Sequence, residues 1–158
     1  MASDKPGVQS EIYRAGGIMS GTKKFVFEIP LRFKDLDAMG HVNNAVYLTY
    51  YEEGRKEFFV RVLGSSSPSD FPFVLARVSC DYLRPIELEE QRVEGVVWIS
   101  KMGNKSFEFS YEIRRVGEPE IVFSRGKSVQ VFYDYRKNKS RNIPSQFKRL
   151  VADYLWER

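Results

Sequence analysis

The spacing of hydrophobic and polar residues changes from strand-like to helical within the first part of the chain. Apolar side chains occupy every second position from Phe25 to Phe33, which predicts a half-buried strand. Apolar residues then recur at helical spacing from Tyr47 to Val62 and predict a helix of about four turns. Asn43 or Asn44 can cap the beginning of this helix, and Gly64 marks its end.

Further strands and a short helix follow the long helix. Alternating apolar residues mark four strands, over residues 73–83, 93–99, 106–113 and 121–133. Gly103 and Gly117 lie in segments typical of hairpin turns, and Gly126 predicts a bend in the last strand. Ser145 is expected to cap a short C-terminal helix. One long helix followed by strands in a meander predicts an α+β fold, in which a curved antiparallel five-stranded sheet wraps around the helix.

The N-terminal residues do not share this patterning. Residues 1–18 lack apolar periodicity, and Met19-Ser20-Gly21-Thr22 reads like a second start. We therefore expect residues 1–21 to be an added leader or a disordered tail, and residues 22–158 to form a single domain. No apolar run approaches the roughly 20 residues that cross a bilayer, so we expect no membrane partner.

Composition narrows the class of protein. With 158 residues, the chain can bury about two thirds of its unfolded surface in one core. Its single cysteine, Cys80, excludes an intrachain disulfide and suits a reducing compartment, so we expect a cytoplasmic protein. Cys80 lies in an apolar run and is expected to be a buried structural thiol. One histidine and one cysteine argue against a metal site built from protein ligands.

The positive charge is concentrated near the C-terminus. Between Arg136 and Arg149 there are six basic and no acidic residues, whereas the rest of the chain has 19 basic and 21 acidic residues. Such a segment could attract nucleic acid, a membrane surface or a phosphorylated cofactor, or could simply be a solvated face. Nucleic acid is disfavoured, because Phe147 is the only aromatic residue within the segment.

The junction between the first strand and the long helix holds most of the candidate chemistry. Its polar residues are Asp35, Asp37, Gly40, His41, Asn43 and Asn44. The start of a helix offers unpaired backbone N–H groups and the positive end of the helix dipole to an anion. A carboxylate beside such a site is the minimal apparatus for hydrolysing an activated acyl group.

The sequence of this region resembles the hotdog-fold acyl-CoA thioesterases, in particular their 4-hydroxybenzoyl-CoA thioesterase-like branch. The resemblance rests on the pattern Asp-x-Asp-x-x-Gly-His-Val-Asn-Asn followed by Tyr-Leu-x-Tyr-x-Glu-x-x-Arg, within residues 32–59. The order of elements matches the family over residues 22–134. The resemblance implies a hotdog fold and hydrolysis of acyl-CoA to a carboxylate and free CoA. CoA would then be part of the substrate, and no separate cofactor is expected.

The family pattern implies roles for individual residues. The second aspartate, Asp37, corresponds to the catalytic carboxylate, as a nucleophile or as a general base that activates water. The N–H groups of Asn43 and Asn44 would hold the oxyanion, although both residues could be simple caps. His41 lies near a helix N-terminus, where its protonated form is disfavoured. It is expected to contact substrate or backbone, with direct proton transfer as the alternative.

A second set of residues is expected to bind substrate. By resemblance, Lys105 and Ser106 lie at the hairpin that binds CoA, and Gly40 and Tyr47 are candidate substrate contacts. For Lys105 a plain surface position is almost as plausible. The basic residues 136–141 are a weaker candidate for binding the 3′-phosphate of CoA.

Four residues in or near the motif have structural interpretations. Asp35 is expected to be a turn carboxylate bonded to backbone, and the alternative is an acid paired with Asp37. Glu52 and Arg55, three positions apart on the helix, are expected to form an ordinary ion pair. Gly54, in the middle of the helix, predicts a close approach to another backbone or to a ligand.

Two alternatives to acyl-CoA hydrolysis stay open from the sequence. The same site could release acyl chains from acyl carrier protein, which the basic segment would recognise. The protein could also be a non-catalytic acyl-CoA-binding module. In each case a homodimer is expected, because pairing the edges of two sheets would remove exposed edge strands, and dimers could pair further into a tetramer.

Overall fold

A curved antiparallel sheet wraps around one long helix in the computed structural model, which describes residues 21–157. The main strands are β1 (Phe25–Pro30), β2 (Phe73–Tyr82), β3 (Arg92–Met102), β4 (Ser106–Arg115) and β5 (Glu118–Asp134). The helices are α1 (Asn44–Arg61) and α2 (Ser145–Leu150). A two-residue strand, β6 (Lys139–Ser140), pairs with the end of β5. The predicted α+β hotdog fold is confirmed, and the expected leader or tail lies almost wholly outside the described residues.

The order of strands differs from the predicted meander. Strands β3, β4 and β5 are joined by hairpins, but β2 pairs with β5, and β1 occupies the free side of β3. The sheet order is therefore β1-β3-β4-β5-β2, and the prediction of four successive neighbours was wrong for β2. Alternation identifies strands but carries no information about their partners, which depend on how the whole sheet closes around α1.

The buried face of α1 is largely aromatic and packs against the sheet. Tyr50, Tyr51 and Phe58 are fully buried, whereas Leu48, one of the apolar residues between Tyr47 and Val62, is exposed. Gly54 lies at a close approach to a side chain, and not to the backbone or ligand that was predicted, because a Cβ at this position would lie 2.9 Å from the ring of Phe27 on β1. Close packing of α1 on the sheet thus depends on the absence of a side chain at this position.

Several local predictions need correction. Gly126, where a bend was predicted, pairs with Cys80 and Tyr111 without a shift in register. Its lack of a side chain leaves room for the ring of Tyr51. Ser145 is the first residue of α2, and its predecessor Pro144 occupies the capping position. Cys80 is half-buried rather than buried.

The first predicted strand is also shorter than expected. It ends at Pro30, and Phe33 lies in a 3₁₀ turn with its side chain 83% exposed. This turn redirects the chain from β1 towards the beginning of α1. None of the described helices is long and apolar enough to span a membrane.

Candidate active site

A tight loop connects β1 to α1 and carries the candidate chemistry. The N–H of Asp37 donates to the carbonyl of His41 at 2.7 Å, and the N–H of Gly40 donates to the carbonyl of Asp37 at 3.1 Å. Gly40 has φ +77°, a conformation that L residues with side chains rarely adopt. The loop therefore brings the two ends of the segment 37–41 together directly in front of the helix.

The carboxyl group of Asp37 is half-exposed and partly engaged. Its Oδ1 accepts hydrogen bonds from the N–H of Met39 at 2.8 Å and of His41 at 3.3 Å. Its Oδ2 accepts no hydrogen bond from the described residues. One oxygen thus fixes the orientation of the side chain, and the other is available to water or substrate.

The first residues of α1 leave one backbone donor unclaimed. The side chain of Asn43 accepts from the N–H of Ala45 at 2.9 Å, and its carbonyl accepts from the N–H of Val46. Asn43, and not Asn44, is therefore the cap. No hydrogen bond among the described residues uses the N–H of Asn44. The hydroxyl of Tyr82 donates to the carbonyl of Asn44 at 2.8 Å and ties the helix start to β2.

Hydrogen bonds of Asp35 connect this loop to the helix. Its side chain is buried and accepts hydrogen bonds from the N–H of Arg32 at 3.0 Å, from Nε of Arg32 at 3.1 Å and from the hydroxyl of Tyr50 at 2.9 Å. Its carbonyl accepts from the N–H of Asn43 at 2.8 Å. Burial and this bond to Asp35 raise the pKa of Tyr50. The interpretation of Asp35 as a carboxylate bonded to backbone is confirmed.

Replacing Asp35 by alanine is expected to destabilise the protein by about 3 kcal/mol, because it leaves the buried hydroxyl of Tyr50 without an acceptor and breaks the bonds to Arg32. Urea unfolding measures this loss. Tyr50→Phe, which removes only the hydroxyl, is the matched control and should cost about 1 kcal/mol. Equal stability of Asp35→Ala and the unmodified protein would show that the hydrogen bonds of Asp35 contribute nothing to the free energy of unfolding.

His41 contacts Asp37 through its backbone and not through its ring. The imidazole Nε2 lies 3.7 Å from Oε1 of Glu87, and both side chains are partly exposed. The described hydrogen bonds contain no bond between the two side chains of Asp37 and His41. The geometry of this protomer therefore gives no support to an Asp–His dyad.

The remaining predicted site residues do not join this loop within one protomer. Tyr47 is buried one turn into α1, with its ring edge against Tyr82 at 5.0 Å between centroids. Lys105 and Ser106 lie at the hairpin between β3 and β4, at the opposite end of the sheet. The carbonyl of Lys105 accepts from the N–H of Phe132 at 2.8 Å.

A cavity of about 1190 Å³ lies at the other end of α1 from Asp37, near this hairpin. Aromatic side chains and four cationic ones contribute to its lining. The cations are Arg55, Lys56, Arg136 and Arg141. The sequence did not reveal this cavity, because its walls come from distant segments of the chain.

Arg55 is the buried cation of this cavity. The predicted pair with Glu52 was wrong, since Glu52 pairs with Lys56 at 2.9 Å. Arg55 instead donates to the hydroxyl of Tyr111 at 3.2 Å and is only 8% exposed. A signal was present in the sequence, because Arg55 lies one turn from both Tyr51 and Phe58 on the face of α1 that packs against the sheet.

Comparison with protein families gives a match over most of the chain. The family model described as the thioesterase-like superfamily matches residues 31–151. A curated relative, the uncharacterized protein YsmA of Bacillus subtilis (strain 168), is 33% identical over 88 residues. That alignment covers 55% of this chain and 58% of YsmA, so it spans little more than half the length of this relative.

Solved structures share the fold over more of the chain. A predicted thioesterase from Bacillus stearothermophilus aligns with a TM-score of 0.77 and 26% identity, covering 86% of this chain and 99% of that one. A thioesterase from Thermus thermophilus, complexed with coenzyme A and Zn, aligns with a TM-score of 0.70 and 30% identity. This second alignment covers 81% of this chain and 92% of that one. Among the described residues, no three His, Cys, Asp or Glu side chains are grouped so that they could hold a metal ion.

Proposed function

The chain belongs to the thioesterase-like superfamily, and on that premise we propose that it hydrolyses an acyl-CoA thioester to a carboxylate and free CoA. The observation that carries the proposal is the loop before α1. There, a carboxylate with one unengaged oxygen, on Asp37, precedes a helix whose first N–H, on Asn44, has no acceptor among the described residues. A thioesterase solved in complex with CoA, 30% identical to this chain, supports CoA as the carrier group.

The reaction needs only these two groups. The N–H of Asn44 would donate to the thioester oxygen as charge develops there, and the helix dipole adds to this stabilisation. Asp37 would attack the carbonyl carbon, expel the CoA thiolate and form a mixed anhydride that water then hydrolyses, or it would take a proton from a water molecule that attacks the carbonyl carbon directly. The leaving thiolate requires little protonation, because a thiol is far more acidic than an alcohol or an amine. A Ser–His–Asp triad is therefore unnecessary.

A second copy of the chain would bring the loop and the cavity together. β2 is an edge strand with exposed Leu75 and Tyr82, and it is open to pairing with another β2. Antiparallel pairing would place the Phe73 end of one β2 beside the Tyr82 end of the other. Phe73 lines the cavity, and Tyr82 holds Asn44. The proposed homodimer thus combines the loop of one protomer with the cavity of its partner.

The phosphates of CoA would lie on exposed cations at the edge of this cavity. Lys105 and Arg136 are exposed and lie at the same end of the sheet as the cavity. Phosphate groups are strongly hydrated, and cations in contact with water can neutralise them without a large desolvation cost. This arrangement leaves the interior of the cavity for the acyl group.

A hydrolysis screen tests the proposal. Straight-chain and aromatic acyl-CoA thioesters are incubated with the protein, and loss of the thioester is followed. We expect turnover for at least one acyl group and inhibition by excess free CoA, since a CoA site should be saturable. Hydrolysis of acyl groups from acyl carrier protein that is not inhibited by free CoA would favour the carrier-protein alternative. Ligand binding without any turnover would leave only the non-catalytic module.

A further inference from the structure

The cavity at the end of α1 contains two arginines, Arg55 and Arg141, that form no direct ion pair within the described residues. No carboxylate among the described residues lies within ion-pairing distance of the guanidinium group of Arg55, which is 8% exposed. The Nε of Arg141, which also lines the cavity, is buried and has no hydrogen-bond partner among the described residues. A buried guanidinium group without a counter-ion is costly, so an anion at this position would be strongly favoured.

The carboxylates of the cavity lining are already engaged elsewhere. Glu52 pairs with Lys56 at 2.9 Å, and the bond to Lys56 lowers the pKa of Glu52. Asp134 accepts hydrogen bonds from the N–H groups of Arg136 and Lys137, both at 3.0 Å. Neither carboxylate forms an ion pair with Arg55 or Arg141, although the charge of Arg55 also contributes to the lowered pKa of Glu52, and that of Arg141 to the lowered pKa of Asp134.

Aromatic side chains form part of the cavity lining, beside a serine-rich segment at residues 65–69. Phe59 and Phe73 contact one another with ring centroids 5.0 Å apart, and Tyr133 and Tyr135 form a second pair at 5.1 Å. An apolar chain or ring can lie against such surfaces. A ligand that suits the whole cavity is therefore apolar along its length and negatively charged at its end.

We propose that this cavity binds acyl groups whose far end carries a carboxylate, held by the guanidinium groups of Arg55 and Arg141. The inference rests on the proposed acyl-CoA hydrolysis and specifies its substrate class. Guanidinium groups match a carboxylate in shape and can donate two parallel hydrogen bonds to it. Arg55 has spare donors for this purpose, because a guanidinium carries five N–H groups and only one hydrogen bond of its side chain, to Tyr111, is made within the described residues.

A phosphate of CoA is the less suitable anion for Arg55. The nucleotide end of CoA carries several charges, and moving it behind aromatic side chains to a residue that is 8% exposed would remove most of its hydration. Exposed Lys105 and Arg136 offer it a site in contact with water. A single carboxylate on an apolar chain incurs a much smaller cost.

Matched substrates test the inference. Kinetics are measured for pairs with equal carbon number, such as adipoyl-CoA with hexanoyl-CoA and suberoyl-CoA with octanoyl-CoA. We expect kcat/KM for the better carboxylate-ended substrate to exceed that of its methyl-ended partner by about 10- to 100-fold. Arg55→Met and Arg141→Gln should each lower this ratio by about tenfold or more, through a loss of kcat/KM on the carboxylate-ended substrate.

Two further measurements keep the test decisive. Arg141→Gln alters the less buried arginine, and it tests the carboxylate site if Arg55→Met does not fold. Free adipate should raise the melting temperature of the unmodified protein, hexanoate should not, and Arg141→Gln should reduce the shift. Binding of adipate does not depend on turnover, so it tests the cavity even if no thioester is hydrolysed.

The outcomes separate this inference from the proposed function. Hydrolysis of both members of each pair at equal rates would overturn the carboxylate site and leave acyl-CoA hydrolysis intact. The arginine variants could instead lose kcat/KM equally for both members of a pair and be inhibited less by free CoA. This result would show that the arginines bind CoA, and it would also overturn the carboxylate site. Absence of hydrolysis for every substrate would refute the proposed function. The adipate measurement would then show by itself whether the cavity binds a carboxylate.

Discussion

Asp37→Asn is expected to fold normally and to lose turnover by about 10²- to 10⁴-fold. The amide oxygen of asparagine can still accept the hydrogen bonds from Met39 and His41 that orient this side chain. The variant therefore keeps the loop and removes only the negative charge and basicity. Whether Asp37 acts as nucleophile or as general base, an amide cannot replace it. The measurement is kcat on the best acyl-CoA of the screen.

A matched carboxylate serves as the control for this variant. Asp153 pairs with Lys23 on the surface, where both side chains are 59% exposed, and it contributes to neither the loop nor the cavity. Asp153→Asn should retain full activity. Thermal unfolding of both variants shows whether any loss of rate comes from loss of structure. Full activity of Asp37→Asn would eliminate the proposed mechanism.

Asn44→Pro is expected to lower kcat by about 10²- to 10³-fold with little effect on stability. Proline lacks the N–H that is proposed to hold the oxyanion, yet it is favoured at the first position of a helix. Asn44 occupies this position, and its predecessor Asn43 has φ −60° and ψ 139°, which suits a residue before proline. The substitution thus deletes one backbone donor from an intact helix.

Asn44→Ala provides the comparison, because it removes the same side chain and keeps the N–H. Its kcat should exceed that of Asn44→Pro by at least about tenfold. Circular dichroism and urea unfolding confirm that α1 persists in both variants. If the two variants have the same kcat, the N–H of Asn44 is not the oxyanion donor.

The loop and helix start could be predicted because they are local. All bonds that orient Asp37 and cap α1 join residues within four positions of one another. Spacing along the sequence is then nearly equivalent to spacing in the structure. The same reason explains why the alternating strands were found.

Predictions that depended on distant residues were less successful. Arg55 was predicted to form an ion pair with Glu52, its neighbour on the helix. Its hydrogen-bond partner is Tyr111, which lies 56 positions away. The placement of β2 beside β5 was also missed. Propensity and periodicity describe a residue and its neighbours, but a partner far along the chain is selected by the packing of the complete sheet.

The sequence by itself determined the elements, the family resemblance and the polar loop before α1, since short-range hydrogen bonding and hydrophobic periodicity are sufficient to specify them. Only the tertiary structure decided that β2 is an edge strand, that Tyr82 supports the helix start and that Arg55 lines an aromatic cavity with Arg141. These features arise when segments far apart in the chain bury their apolar surfaces together, and no local pattern encodes that arrangement.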